Sequence, residues 1–289
     1  MNLQGRTVAV TGAANGIGAA LAEEAGRRGA AAVAVIDLDG DGARATAARI
    51  EDCGVPSLGF SCNVSDVEEI EWVADEVRNA FGVPALVCAN AGISTEPGPL
   101  LSSVANDLRW ALEVNVLGTW ATLRAFGSQM VDAVEPGWLL VTASEHAVGV
   151  PFPGNGFYTT SKHAVLGLAD VLRHELPPHV GMSVMIPGLV ATELWSSGSR
   201  RPAHFGGPVP GGEASRRVLA LGMEPAAVAA IALDGVATER FIIATHPHVR
   251  KYFDARAADV TTAFDALPAT DAYARYDVAE ILSRLTEER

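Results

Sequence analysis

Seven short runs of apolar, β-branched residues recur along this chain, each parted from the next by a longer, often alanine-rich stretch. The runs are Thr7–Thr11, Ala32–Asp37, Ser57–Cys62, Ala85–Ala89, Trp138–Ala143, Met182–Ile186 and Arg240–Ala244. They read as continuously apolar rather than alternating, the pattern of strands whose two faces are both covered by helices. Between the first two, Ile17, Leu21 and Ala25 recur at a spacing of four, which predicts a helix over Ile17–Arg28 with Gly29 as its C-cap. Strand–helix alternation of this kind requires right-handed crossovers and a parallel order. The expectation is an α/β fold: one doubly wound, seven-stranded parallel sheet with helices on both faces, in a single domain over residues 1–248. Residues 190–215, rich in Gly, Pro and Ser, read as a mobile loop. Residues 249–289 read as a helical extension packed on the same domain, with helices Val249–Leu267 and Asp277–Glu288.

The first run leads directly into Thr11-Gly12-Ala13-Ala14-Asn15-Gly16-Ile17-Gly18 and then into a helix. Glycines there allow a tight turn and a close backbone approach to a pyrophosphate, whose charge is favoured at a helix N-terminus. An acidic residue, Asp37, lies 19 positions beyond Gly18 at the end of the second strand. It would accept hydrogen bonds from adenosine ribose hydroxyls. It would also repel a 2′-phosphate, since like charges near about 4 Å cost about 4 kcal/mol at an effective dielectric of about 20. No Arg or Lys in the loop or just after Asp37 offsets that charge, so NAD is expected over NADP. Because the strand is one residue longer than such a turn needs, Asp39 stays open as a substitute for Asp37.

The second constellation is Tyr158-Thr159-Thr160-Ser161-Lys162. On a helix running to Leu176, Tyr158 and Lys162 share a face. A tyrosine works as a general base near neutral pH only if its pKa falls by roughly three units, about 4 kcal/mol. An ammonium about 4 Å away supplies energy of that order, so Lys162 is expected to depress the pKa of Tyr158.

Taken together, the two motifs resemble the short-chain dehydrogenase/reductase family, in the branch carrying Thr-Gly-x-x-x-Gly-x-Gly. The resemblance covers about residues 3–245. It implies a Rossmann-type sheet and hydride transfer between a nicotinamide and a carbinol or ketone carbon, with a small-molecule alcohol or ketone as partner. By position it implies that Asn63 and Val64 contact adenine, and that Asn90, Ala91 and Gly92 support the sheet and cofactor. Asn115, in a helix around Leu108–Thr122, fits the residue holding a proton-relay water, and Ser144 fits the substrate-binding serine. Pro187, Gly188, Val190 and Thr192 fit the stretch that orients the nicotinamide. Ser144 stands 14 residues before Tyr158, one more than the resemblance implies, so the substrate loop carries a small insertion. The family's dimers and tetramers imply a homodimer or homotetramer here, built on the helices around Leu108–Val131 and Tyr158–Leu176. Rivals from other classes are an NAD-binding sensor without chemistry and an epimerase or dehydratase that retains its NAD. The intact Ser144, Tyr158 and Lys162 argue against the first, and the lack of a long substrate domain against the second.

Other signals narrow the reading. A formal charge of −13 argues against nucleic acid and anionic membrane surfaces as partners. No run approaches the roughly 20 apolar residues of a membrane span. The three cysteines, Cys53, Cys62 and Cys88, form no CxxC pair, which suits a reducing, cytoplasmic compartment and gives no zinc site. Ser144-Glu145-His146 cannot converge as a hydrolase triad, and there is no Gly-x-Ser-x-Gly elbow. His246-Pro-His248 has no third ligand at a metal-binding spacing; both read as loop histidines. The substrate pocket is expected to be apolar, drawn from Val148, Val150, Phe152, Phe157, Leu189, Leu194, Trp195 and Phe205 with His146 beside them. That lining suits an aromatic, terpenoid or steroid-like alcohol.

Overall fold

The computed structural model describes residues 1–268 and 276–287. Its centre is a seven-stranded sheet in the order β3-β2-β1-β4-β5-β6-β7, every neighbouring pair parallel. The strands are β1 (Thr7–Thr11), β2 (Ala32–Asp37), β3 (Ser57–Ser61), β4 (Leu86–Ala89), β5 (Gly137–Thr142), β6 (Val180–Ile186) and β7 (Ile242–Ala244). Each falls on a run expected from sequence, with ends moved by a residue or two. Helices α1 (Gly16–Arg27), α2 (Gly40–Glu51) and α8 (Pro225–Ala237) cover one face; α3 (Val67–Phe81), α5 (Gly118–Ala133) and α6 (Gly156–Glu175) cover the other. Side-chain alternation along each strand explains the two cores. Val8 and Val10 pack with Leu21 and Ala25 of α1, whereas Ala9 points the opposite way, toward the layer of Val73 and Phe126.

The edges depart from the fully covered pattern. Leu58 on β3 is 44% exposed and Ile242 on β7 is 41% exposed, because an edge strand lacks a neighbour and its covering helix extends only part-way over it. The order reverses between β1 and β4, so the carboxyl ends of these two strands open a crevice where α/β sheets bind ligands.

The helix expected over Leu108–Thr122 is longer and not uniform. It begins as α4 (Ala105–Leu112), passes through a π-helical turn at Glu113–Leu117, and continues as α5. Residues 190–215 are more regular than an open loop, with 3-10 turns at Glu193–Arg200 and Ala203–Phe205 before α7 (Glu213–Leu219). Arg201 anchors this segment, pairing with Asp107 of α4 at 2.8 Å and donating to the carbonyl of Phe205.

The C-terminal extension corrects an expectation. Its helices α9 (Arg250–Asp265) and α10 (Val278–Glu287) lie where they were expected, Glu288 being outside the described residues. Yet α9 buries no residue, and Val278, Ile281, Leu282 and Leu285 of α10 are exposed. Contact with the domain is made by the first turns of α9, where Tyr252 and Arg256 lie against Gly149. Both faces of the sheet already carry three helices. Among the described residues no helix is long and apolar enough to cross a membrane.

Candidate active site

The crevice is a cleft of about 300 Å3 at the carboxyl ends of the strands. Its floor is the β1–α1 loop, with Gly12, Asn15, Gly16, Ile17 and Gly18 all lining it. Gly12 has φ +65°, and a Cβ on it would stand 2.6 Å from the Cα of Ala91. A Cβ on Gly18 would stand 2.0 Å from the carbonyl oxygen of Gly12. Two backbones therefore meet at a distance only glycine permits, and the N-terminus of α1 is left facing the cleft. Such a loop can hold a pyrophosphate.

Asn90 braces this floor. Its Nδ2 donates to the carbonyls of Thr11 and Gly12, and its Oδ1 accepts from the Thr142 hydroxyl at 3.0 Å. Asp37 lines the cleft at the end of β2, accepting from the amide of Ala14 at 2.9 Å and from that of Asp39 at 2.9 Å. Asp39 instead caps α2, accepting from the amide of Gly42 at 3.0 Å. Of the two carboxylates left open from sequence, only Asp37 lines the cleft. Asn63 and Val64 line the same end of the cleft; Ala91, Gly92, Pro187, Gly188, Val190 and Thr192 line the remainder.

Tyr158 and Lys162 share one face of α6 and both reach the cleft. Lys162 is 3% exposed, and its Nζ donates to the Thr142 carbonyl at 3.0 Å. Tyr158 lines the cleft, and its hydroxyl is hydrogen-bonded to Ser144. Ser144 is buried, and its Oγ also accepts from the amide of His146. The expected depression of the tyrosine pKa is absent. Burial pushes the Tyr158 hydroxyl up to about 12, the Ser144 bond pulling it down and the Glu145 carboxylate adding to the rise. Burial also lowers Lys162 to about 8. The ammonium lies 5.7 Å from the ring centroid, and desolvation of both groups outweighs its charge.

Asn115 sits in the π-helical turn, fully buried. Its Oδ1 accepts from the amide of Ile93 at 2.7 Å, and its Nδ2 donates to the Ile93 carbonyl and to the Ser161 hydroxyl. The side chain joins the β4 exit loop to α6, its Oδ1 keeping a second lone pair. Gly92 stands between it and Lys162: a Cβ there would lie 3.1 Å from Asn115 Oδ1 and 3.3 Å from Lys162 Nζ.

The expected substrate lining is corrected. Of the apolar residues named from sequence only Leu194 lines the cleft. Phe152 is 53% exposed, Phe157 is half-buried away from the cleft, and Trp195 packs on Gly211. The wall is made by Trp110, Glu113 and Val114 of the α4–π segment, with Ile93, Arg200, Pro202, His204 and Leu219. The spacing Trp110, Glu113, Val114 is a helical face that the sequence displays; what it faces depends on the course of the chain after Gly188. His146 also lies off the cleft. It stacks edge-on at 5.3 Å from the Tyr158 ring and shares a 2.8 Å hydrogen bond between Nδ1 and the Thr159 hydroxyl.

Burial lowers the His146 pKa to about 4, with His163 adding to the fall. Between about pH 6.5 and 4 the unfolded chain binds this proton and the folded chain does not, so stability falls as the pH falls through that window. A shift from 6.5 to about 4 corresponds to a loss of roughly 3 kcal/mol by pH 4. A His146→Asn variant should lose less of its melting temperature between pH 7 and pH 4.5 than wild type; equal losses would remove His146 as the cause.

Comparison with known proteins agrees with this geometry. The short chain dehydrogenase family model matches residues 6–202. The chain is 36% identical over 209 residues to the 1-deoxy-11-beta-hydroxypentalenate dehydrogenase of Streptomyces exfoliatus, covering 72% of this chain and 75% of that one. It is 34% identical over 194 residues to the D-threitol dehydrogenase of Mycolicibacterium smegmatis, covering 66% and 73%. A short chain dehydrogenase/reductase from Burkholderia phymatum, solved in complex with NAD, superposes with a TM-score of 0.85 at 28% identity, over 91% of this chain and 96% of that one.

Proposed function

This chain belongs to the short-chain dehydrogenase family of oxidoreductases acting on CH–OH groups, and on that premise we propose that it interconverts a secondary alcohol and a ketone with NAD as the preferred cofactor. The observation that carries the proposal is the convergence on one cleft of the glycine cradle, the Asp37 carboxylate and the Tyr158–Lys162 face of α6, with Ser144 bonded to the tyrosine hydroxyl.

NAD fits the residues present. The loop Gly12–Gly18 would hold its pyrophosphate, Asp37 its adenosine ribose, Asn63 and Val64 its adenine, and Pro187–Thr192 its carboxamide. When bound, the nicotinamide would accept the hydride in oxidation, its oxidised ring placing a positive charge in the cleft, and the reduced ring would return the hydride to the ketone carbon in reduction. In ketone reduction Tyr158, protonated at neutral pH, donates its hydroxyl proton to the substrate oxygen while Ser144 holds that oxygen by a second hydrogen bond. In alcohol oxidation Tyr158 takes the same proton back as tyrosinate. Lys162 would steady the tyrosinate and hold the nicotinamide ribose, and Asn115, through water, would connect Lys162 with solvent. Positioning and electrostatics are the protein's share of the catalysis.

For the substrate, Trp110, Val114 and Leu194 offer an apolar wall and Glu113, Arg200 and His204 a polar one. An apolar alcohol, terpenoid or aromatic in body and bearing a polar substituent, fits both. Two or four copies are proposed to associate through the exposed apolar groove between α5 and α6, where Trp120 is 40% and Val171 58% exposed; sedimentation of the full chain tests this.

The deciding assay is absorbance of reduced nicotinamide across a panel of secondary alcohols with NAD and with NADP. NADH is expected, with kcat/KM at least about tenfold higher for NAD than for NADP, because Asp37 and a 2′-phosphate repel. Asp37→Ser should bring that ratio close to one. Equal turnover by wild type with both cofactors would end the role given to Asp37. Tight NAD binding with no reduction across the panel would favour a sensor.

A further inference from the structure

Between β7 and α9 the chain makes a 3-10 turn at Pro247–Val249, and two histidines of this turn reach back to the active site. His246 accepts the amide hydrogen of Gly188 at Nδ1 and meets the Leu189 carbonyl through Nε2 at 3.0 Å, so Nε2 carries the proton. His248 brings its Nε2 to 2.9 Å from Oε2 of Glu145. Glu145 follows Ser144 directly, and its amide donates to the Pro187 carbonyl at 2.9 Å. Its side chain is 13% exposed. The oxygen facing His248 makes no aligned hydrogen bond, so a buried carboxylate has an imidazole as its close polar company among the described residues. The same oxygen presses on the backbone of Gly188, where a Cβ would stand 2.8 Å away.

We infer that Glu145 and His248 are a positioning pair: they fasten the turn carrying Ser144 to the Pro187–Leu189 stretch and to the C-terminal segment, and they set the charge that the Tyr158 hydroxyl faces. The inference rests on the dehydrogenase reading above. Neither residue lines the cleft; both act through Ser144 and Tyr158. The β5–α6 connection needs such a tie, because its outer part, Pro151–Pro153, is exposed, and a misplacement of about 1 Å at a reacting group costs about a hundredfold in rate. Arg256 of α9 adds to the tie, lying against Gly149 and donating to Nε2 of His163 on α6 at 2.8 Å. The ionisable groups around the Glu145 carboxylate are therefore Tyr158 and His163 of α6, His146 of its own turn, His246 and His248, and Arg256. Its negative charge raises the cost of a tyrosinate.

The test is steady-state kinetics over a pH range with Glu145→Gln, His248→Asn and the double variant, beside NADH titration by fluorescence. His248→Asn should lower kcat about tenfold and leave NADH affinity within about twofold, since His248 touches neither the Gly12–Gly18 loop nor the cleft. Glu145→Gln should move the rise of kcat/KM for oxidation to lower pH, because one negative charge facing Tyr158 is gone. The double variant should be no slower than the slower single variant. His248 is 47% exposed, so its substitution leaves the core intact and decides the matter even if Glu145→Gln fails to fold. An active wild type with His248→Asn matching it in kcat and pH profile overturns the pair alone. A wild type that reduces NAD with no alcohol overturns the dehydrogenase reading and the pair with it.

Discussion

In a Tyr158→Phe variant, kcat should fall by about a thousandfold or more while NADH affinity stays within about twofold. The substitution removes one oxygen. The ring keeps its place, since its edge-on contact with His146 at 5.3 Å and its seat on α6 do not involve the hydroxyl. What disappears is the group that bonds Ser144 and is proposed to carry the proton to or from substrate. Lys162 cannot replace it: its Nζ is engaged with the Thr142 carbonyl and is 3% exposed. Initial rates at saturating alcohol and NAD, with NADH fluorescence titration on the same preparation, separate chemistry from binding. Activity within tenfold of wild type would mean that another group moves the proton, and the assignment of Tyr158 would be lost.

The sheet was legible because its strands are covered on both faces, and that burial writes itself into the chain as unbroken apolar runs such as Val8–Val10 and Val33–Ile36. The edge strands were legible as strands but not as edges, since nothing local in Ser57–Ser61 tells that no neighbour follows. The glycine loop was legible for a related reason: its close backbone approach admits no Cβ, and that steric demand is local. The π-helical turn at Glu113–Leu117 was not. One extra residue in a helical turn leaves no Gly or Pro behind, and it becomes visible only where Asn115 turns inward to Ile93 and Ser161. The substrate wall failed for a long-range reason. Phe152 and Trp195 are apolar and lie near the motifs in sequence, yet the cleft is closed by Trp110, Glu113 and Val114 from a helix that precedes them by many residues. The tyrosine pKa failed likewise, because a lysine four residues away is local whereas desolvation sums over every neighbour in space.

Gly18→Ala should weaken NADH binding by about a hundredfold or more, roughly 2.7 kcal/mol, with a smaller loss of stability. The added methyl would lie 2.0 Å from the Gly12 carbonyl oxygen, 2.6 Å from Asn90 Nδ2 and 2.7 Å from the Gly12 carbonyl carbon. None of these can withdraw freely. The Gly12 oxygen accepts from Asn90, and Asn90 is held in turn by the Thr11 carbonyl and the Thr142 hydroxyl, which ties β1, β4 and β5 together. The strain must therefore be relieved on the other side, by moving the first turn of α1 away from the loop. That turn presents the free backbone amides and the positive end of the helix to a pyrophosphate, so the displacement falls on the cofactor rather than on the core. Overpacking of this kind costs about 1–3 kcal/mol of stability, which a domain of this size survives. Gly167→Ala is the matched control: it lies on α6 with nothing within 4 Å of the added carbon, and it should bind NADH as wild type does. If Gly18→Ala also binds NADH normally, the close approach of helix and strand is not what holds the pyrophosphate, and the cradle must be sought elsewhere along the cleft.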